Sequence, residues 1–378
     1  MKAPRFGLEK GVKPTTDLML LTLLVFLPLL GLVVLFSASY FKGETLANNP
    51  WFFVQRQAVL LVVGAFVAWF LSHVSWESVR KAVPILLLAN FILMLAVFLP
   101  IWDVGTVLGA RRWIVKFGFS FQPSELAKLT VVLYLASMFA KKQNELDDWK
   151  HSLLPPFAFS FLFVLLTLLQ NDYSTSMFIL FVILVMFFLA GVKLRYFVIV
   201  LALAGVLGVI GVLSAPYRME RFTSFLKPDH DVSGASYQIT ASRAALTDGG
   251  FWGKGFGAGT HKLGGIPEVH NDFIFAAFAE ETGYWGVLAI FLLFGLLAWR
   301  AWSCALAHPD PFARMAGVGI TVFLTYQMLI NTAVVVGAVP ATGVTFPFFS
   351  YGGSSIVVSL AMGGLLLNLS RRSSEVAA

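Results

Sequence analysis

The chain has 378 residues, 58% hydrophobic and only 12% charged, about half the charged share of a soluble domain, roughly 25%. Burying that much apolar side chain in one water-soluble core is not open to a chain of this length, so composition excludes a soluble protein and points to a polytopic membrane protein. The net charge of +7 does not signal nucleic acid: Lys and Arg gather in short segments between apolar runs, as loops on the cytoplasmic side of a membrane do.

Cys304 is the single cysteine, which rules out an intrachain disulfide and a Cys-rich metal site. Residues 1–17, "MKAPRFGLEKGVKPTTD", read as a basic cytoplasmic tail. No small-residue cleavage site follows the first apolar run, so that run is expected to stay as a span.

Stretches long enough to cross the hydrocarbon layer fall at 18–38, 51–71, 82–100, 125–140, 153–170, 173–190, 196–214, 272–299, 313–338 and 350–370. The expected fold is all-α, with about ten transmembrane helices forming one domain over 18–370. An even number of spans puts both termini on one side, with 371–378 as a second cytoplasmic tail. With the termini inside, the outer short loops hold only Lys42, Arg111, Arg112 and Lys116. The other loop cations, among them Arg80, Lys141, Lys193, Arg300 and Arg371, fall inside, which fixes the orientation by the positive-inside rule. The long loop 215–271 is then extracytoplasmic.

Arg56, in "WFFVQRQAVL", enters the second span either as a snorkelling anchor or as part of a polar cavity. Arg111 and Arg112 stand against the orientation bias, interleaved with Trp113, Phe117, Phe119 and Phe121. Such a stretch meets anionic head groups at the interface. Glu125 and Lys128 are three residues apart and share a helix face. As ionisable residues in a span, they mark either a functional path or an ion pair holding the bundle. Asp172 interrupts the apolar sequence between the fifth and sixth spans, and the backbone broken by Pro340, Gly343, Pro347, Gly352 and Gly353 must be buried in protein or line a wet cavity.

In the long loop, 236–247 is expected to form a short amphipathic helix. "GGFWGKGFGAG" follows no strand and lacks GK[ST], so it is no nucleotide-binding loop; its glycines suit tight turns and close approach to a ligand. Lys254, His261 and Lys262 lie together as candidates to meet phosphate. Then come Glu268, His270 and Asp272, followed by Glu280 and Glu281. Counted as one helix at about 100° per residue, Asp272 and Glu280 stand about 80° apart and share a cavity wall. Asp/Glu/His clusters suit Mg²⁺ or Mn²⁺ better than zinc, with Asp272 the candidate ligand. At a helix start Asp272 also reads as an N-cap.

"QPSELAKL" (122–129), "PEVHNDFIFAAFAEETG" (267–283) and "PFFSYGGSS" (347–355) resemble the most recognisable stretches of the SEDS family, the RodA and FtsW proteins of bacterial wall synthesis. "QNDYSTS" (170–176) is similar to the family's "QPDLGTS"-like segment. The resemblance covers nearly the whole chain, with the motifs in the family's order. Departures are Asn271 where the family usually has Thr, and "QND" with Tyr173-Ser174 where it has "QPD" and a Leu-Gly pair. The 262–286 segment looks more like FtsW than RodA, while "PATGVTFPFFSYGGSS" keeps only part of the FtsW pattern.

The resemblance implies a peptidoglycan glycosyltransferase of the cytoplasmic (inner) membrane. It would polymerise lipid II at the extracytoplasmic face, release undecaprenyl diphosphate, and act in cell division or elongation with a class B penicillin-binding protein and other wall machinery. It places the essential aspartate on Asp272 and the "QPSE..K" pair on Glu125 and Lys128. Arg111, Arg112, Lys128, Lys262 and His270 are the candidate substrate contacts. Asp172, Glu268, Glu280, Ser350 and Gly352, with Glu125, are expected in support. The rival readings are a lipid II transporter, which would place polar groups through the membrane depth, and a scaffold that only recruits the transpeptidase.

Overall fold

The computed structural model describes residues 16–99, 112–116, 119–143, 145, 148–213, 219, 223, 225 and 235–373. Arg111, most of the N-terminal tail, residues 226–234 of the long loop and the last five residues lie outside that set.

A helix occupies every expected span. In order they are α1 (Leu18–Ala47), α2 (Phe52–Leu71), α3 (Trp76–Ala96), α4 (Pro123–Lys141), α5 (Leu154–Leu169), α6 (Tyr173–Leu189) and α7 (Leu194–Leu213), then α8 (Ala235–Gly249), α9 (Ile274–Ala307), α10 (Pro311–Val335) and α11 (Gly353–Ser373). Among the described residues, seven helices are long and apolar enough to cross a membrane: α1, α2, α3, α5 with the turn before it, α9, α10 and α11. The chain is an all-α multi-pass membrane protein. α8 is the short helix expected in the long loop, and α11 runs past 370, with Arg371 donating to Thr16 and to the Ser72 carbonyl.

The starts follow local chemistry. Asp17, Ser75 and Asp310 cap α1, α3 and α10 by accepting main-chain N–H groups, and Pro123 opens α4, where a missing N–H costs nothing. The basic-aromatic stretch expected as an interfacial segment is an antiparallel hairpin, β1 (Ile114–Lys116) and β2 (Phe119–Phe121), pairing Ile114 with Phe121 and Lys116 with Phe119. β-branched and aromatic residues in alternation favour that state.

α4 lies at the centre, packed on α3, α6 and α10 and buried over nearly its whole length. α1 and α9 are cross-linked at two levels: Arg300 to Asp17 at one end, Ser37 to Glu281 at the other. At 1.5 Å per residue these levels are about 30 Å apart, the thickness of the hydrocarbon core. Neither 18–36 nor 282–299 contains Asp, Glu, Lys or Arg.

Candidate active site

The segment 336–352 between α10 and α11 is not helical, and its freed main-chain groups need partners inside the protein. Amide side chains supply them. Asn331 on α10 donates from Nδ2 to the carbonyls of Val344 and Asp272, each at 2.7 Å. Gln327, one turn earlier, donates to Thr345. Gln57 on α2 donates to the Ser350 carbonyl at 3.1 Å and accepts from the Gly352 N–H. Ser350 Oγ accepts from the Phe346 N–H at 2.7 Å, so Ser350 and Gly352 hold backbone. Tyr351 N–H donates to the His270 carbonyl at 2.8 Å. Residues 270–272 are therefore clamped through their carbonyls to 344–351 and α10.

Asp272 is half-buried and sits ahead of α9, not on it. The helix starts at Ile274 after Phe273, whose side chain makes no cap hydrogen bond. Helical spacing therefore does not relate Asp272 to Glu280. A main chain fixed on two sides with a partly exposed carboxylate is the arrangement a positioned acid–base group needs.

His270 is buried among Phe53 and Tyr351, its ring 4.3 Å from that of Phe53. Burial pushes its pKa down to about 4, against the opposing pull of Glu268 and with help from Lys42. It is neutral near pH 7. Glu268, at φ 51°, pairs with Lys42 at 3.0 Å and accepts from Asn271 Nδ2 at 2.9 Å.

Beside this clamp, the hairpin end reaches α6 and α11. Arg112 stacks on Trp113 with its guanidinium 4.1 Å from the ring, and its Nη1 lies 3.6 Å from Asp172. Its buried Nε has no hydrogen-bond partner among the described residues. Asp172 caps α6 through the Thr175 N–H and accepts from Gln122 Nε2 at 2.8 Å. The Gln122 N–H in turn donates to Ser354 Oγ at 2.8 Å, and Thr345 and Ser355 share a hydroxyl hydrogen bond. A continuous run of polar contacts thus links Asp272, through Asn331 and the 344–355 segment, to Asp172 and Arg112. Below it, Lys128 donates to Glu125 at 2.7 Å, both buried, with the ammonium 5.4 Å from the rings of Phe178 and Phe323. The ion pair lies within α4, with Lys128 buried and its ammonium toward α6 and α10.

The glycine-rich loop packs its main chain against a break in α9. α9 is broken at Gly283, φ 64° and ψ −163°, and the loop takes up the main-chain groups this frees: the N–H groups of Lys254 and Gly255 donate to the carbonyls of Glu280 and Glu281, and Tyr284 N–H to Gly250. A Cβ at Gly253, itself at φ 74°, would stand 2.2 Å from the Glu281 carbonyl oxygen, so only glycine allows this approach. The loop's close approach is to the broken helix.

Its cations are engaged too. Lys254 bridges Glu280 at 2.8 Å and Asp248 at 2.9 Å; the Glu280 bond, then the Asp248 bond, raises its pKa. His261 Nε2 lies 3.1 Å from Asp248. Lys262, buried, bonds Glu281 and, at 2.7 Å, Ser37. Among the described residues Asp248, His261 and Glu280 are the group whose donor atoms approach within 4.8 Å as metal ligands would. Lys254 already supplies the positive charge there, and Asp272 is not a member. Asp272 alone would hold a divalent ion only together with phosphate oxygens of a substrate, a usual way for Mg²⁺ to bind.

Sequence reasoning passed over Gln57, Gln122, Gln327 and Asn331. The signal was there: amides within or beside apolar spans are costly to bury unpaired and so mark broken backbone. Arg56, by contrast, is exposed over Phe52 at 4.1 Å, as a snorkelling anchor.

The class is thus a multi-pass α-helical protein with a clamped acid and a cationic hairpin at one end of its bundle. Residues 17–375 match the profile of the FtsW/RodA/SpoVE family, described as cell cycle proteins, and the chain belongs to that family. It is 37% identical to stage V sporulation protein E of Bacillus subtilis, covering 96% of this chain and 98% of that one. It is 38% identical to a probable peptidoglycan glycosyltransferase FtsW of Geobacter sp. (strain M18), covering 94% and 97%. Its fold is similar to a chain of a peptidoglycan synthase complex that coordinates polymerisation and crosslinking, TM-score 0.78 at 30% identity over 95% and 98% of the two chains. It is also similar to rod shape determining protein RodA of Thermus thermophilus, TM-score 0.68 at 28% identity over 94% and 97%.

Proposed function

We propose that this chain is a peptidoglycan glycosyltransferase acting in cell division or elongation, polymerising lipid II at the extracytoplasmic end of its helix bundle. The family membership supports the activity; the clamp on residues 270–272 supports the choice of residue. A hydroxyl of one lipid II attacks the anomeric carbon of another, the bond to the polyprenyl diphosphate breaks, and Asp272 takes the hydroxyl proton as general base. The Asn331 and Tyr351 bonds hold the carboxylate's main chain before substrate arrives, so ordering it costs little at the moment of reaction. Arg112, already stacked and oriented, faces the diphosphate as a charge-stabilising group together with Arg111; Lys128 and Lys262 serve as internal counter-ions. A Mg²⁺ or Mn²⁺ ion shared between Asp272 and diphosphate would add further charge neutralisation.

The transporter reading is disfavoured by the uncharged 30 Å of α1 and α9 between their two cross-links. A class B penicillin-binding protein is the partner we assign, because a solved structure of similar fold belongs to a synthase complex that also crosslinks. Residue-level function is open to a direct test: in nanodiscs with fluorescent lipid II, Asp272→Asn should lose glycan product by about 10²–10⁴-fold with unchanged melting. Wild-type ladders from that variant would remove the assignment. Leaflet exchange by the wild type without ladders would move the protein to the transporter class.

A further inference from the structure

At the Gly283 break, two stretches distant in sequence place aromatic side chains side by side on the surface. Phe251 meets Tyr284 with ring centres 5.8 Å apart, and Trp252 meets Trp285 at 6.4 Å. Phe256, on the same loop, is also exposed, and Trp252 is 83% exposed, unusual for the largest apolar side chain. The main-chain bonds between loop and α9 hold this ledge in place.

Height along the bundle says what it faces. Glu281, two residues before the break, lies about 30 Å from the Asp17–Arg300 level by helical rise, which sets the ledge at the edge of the hydrocarbon layer. Below it the outward face of α9 continues through exposed Leu292, Leu296 and Trp299, the surface of a membrane-crossing helix, and the ledge extends that face without a break. Trp and Tyr favour this boundary, where the ring is dehydrated and its polar edge stays wet.

We propose that the glycine-rich loop is an interfacial element, with Phe251, Trp252 and Phe256 seated among the lipid head groups beside Tyr284 and Trp285. The loop that closes the break in α9 is thereby fixed in depth by the bilayer. This placement requires only that α1 and α9 cross the membrane, and stands apart from any role of Asp272.

The test is a depth measurement on the full chain in nanodiscs. Trp252→Cys and, separately, Phe256→Cys are labelled with bimane; Cys304, buried at 4% exposure, stays unlabelled. Leu292→Cys marks the hydrocarbon, and Thr45→Cys, exposed two turns beyond Ser37 on α1, marks water. Lipid carrying a nitroxide at the head group should quench the label at 252 and 256 more than at 292 or 45. Aqueous iodide should quench them less than at 45. The proposal is overturned if both positions lose emission to iodide as Thr45→Cys does and keep it with nitroxide lipid; the ledge then faces water and awaits a protein partner.

Discussion

Two neighbouring regions at one end of the bundle treat acidic side chains in opposite ways. Around the Gly283 break, Glu280 and Glu281 are fully buried, and each is met by a lysine from the loop. Around the 270–272 clamp the side chain of Asp272 is left half-exposed while its main chain is held. In the first region the carboxylates are neutralised by the same loop whose main chain bridges the broken helix. In the second the backbone is held by neutral amides, Asn331 and Gln57, and the carboxylate stays partly exposed.

The sharpest way to break this contrast is Glu281→Ala, which strands the Lys262 ammonium in a buried site. Removing one partner of a buried pair costs about 3–5 kcal/mol, so we expect this variant to fail to accumulate as folded protein. Size-exclusion profiles that match wild type would show the pair to be dispensable. Asp272→Asn should leave those profiles unchanged.

The next effect comes from His270. Its folded pKa of about 4 lies below the ordinary 6.5, so the unfolded chain binds the extra proton first. Stability falls as pH drops from about 6.5 towards 4, by roughly 3 kcal/mol in all. Melting temperature against pH should show this loss, and His270→Asn should flatten it. A slope that persists in the variant would assign the titration elsewhere. Asp248, held below its usual range first by its hydrogen bond to Lys254 and then by that to His261, loses its contribution only below about pH 4, outside that window.

Asn331→Ala leaves two carbonyls without their donor and should cost about 1–3 kcal/mol. It should also lower kcat for lipid II polymerisation more than it changes KM, because it loosens the acid rather than the substrate contacts. Equal turnover would disconnect the clamp from catalysis. Smallest is Lys42→Ala at the exposed pair with Glu268, where about 0.2–1 kcal/mol is expected, read as a slight shift in melting that fades at high salt.

Much of this was legible in the chain. Apolar runs of spanning length each became a helix, and the glycines and prolines of 331–355 did mark a break. "QPSELAKL" and "PEVHNDFIFAAFAEETG" stand at the starts of α4 and α9, because such motif residues are local features. The partners were not legible. Lys254 and Lys262 look like phosphate ligands when read beside a glycine-rich loop; that they meet Glu280 and Glu281 depends on the positive φ of Gly283, which folds the loop onto a helix that sequence periodicity treats as continuous. The hairpin was hidden for a related reason, since three-residue strands carry too little alternation to stand out from an interfacial aromatic stretch.

The neutral belt between the two cross-links has an electrical consequence. A membrane potential does work only on net charge moved through it, about 2.3 kcal/mol per elementary charge per 100 mV. α1 and α9 offer the field nothing to pull across that thickness, and the Glu125–Lys128 couple is neutral taken together. Over the belt of α1 and α9, a voltage across the membrane therefore finds no side-chain charge to move.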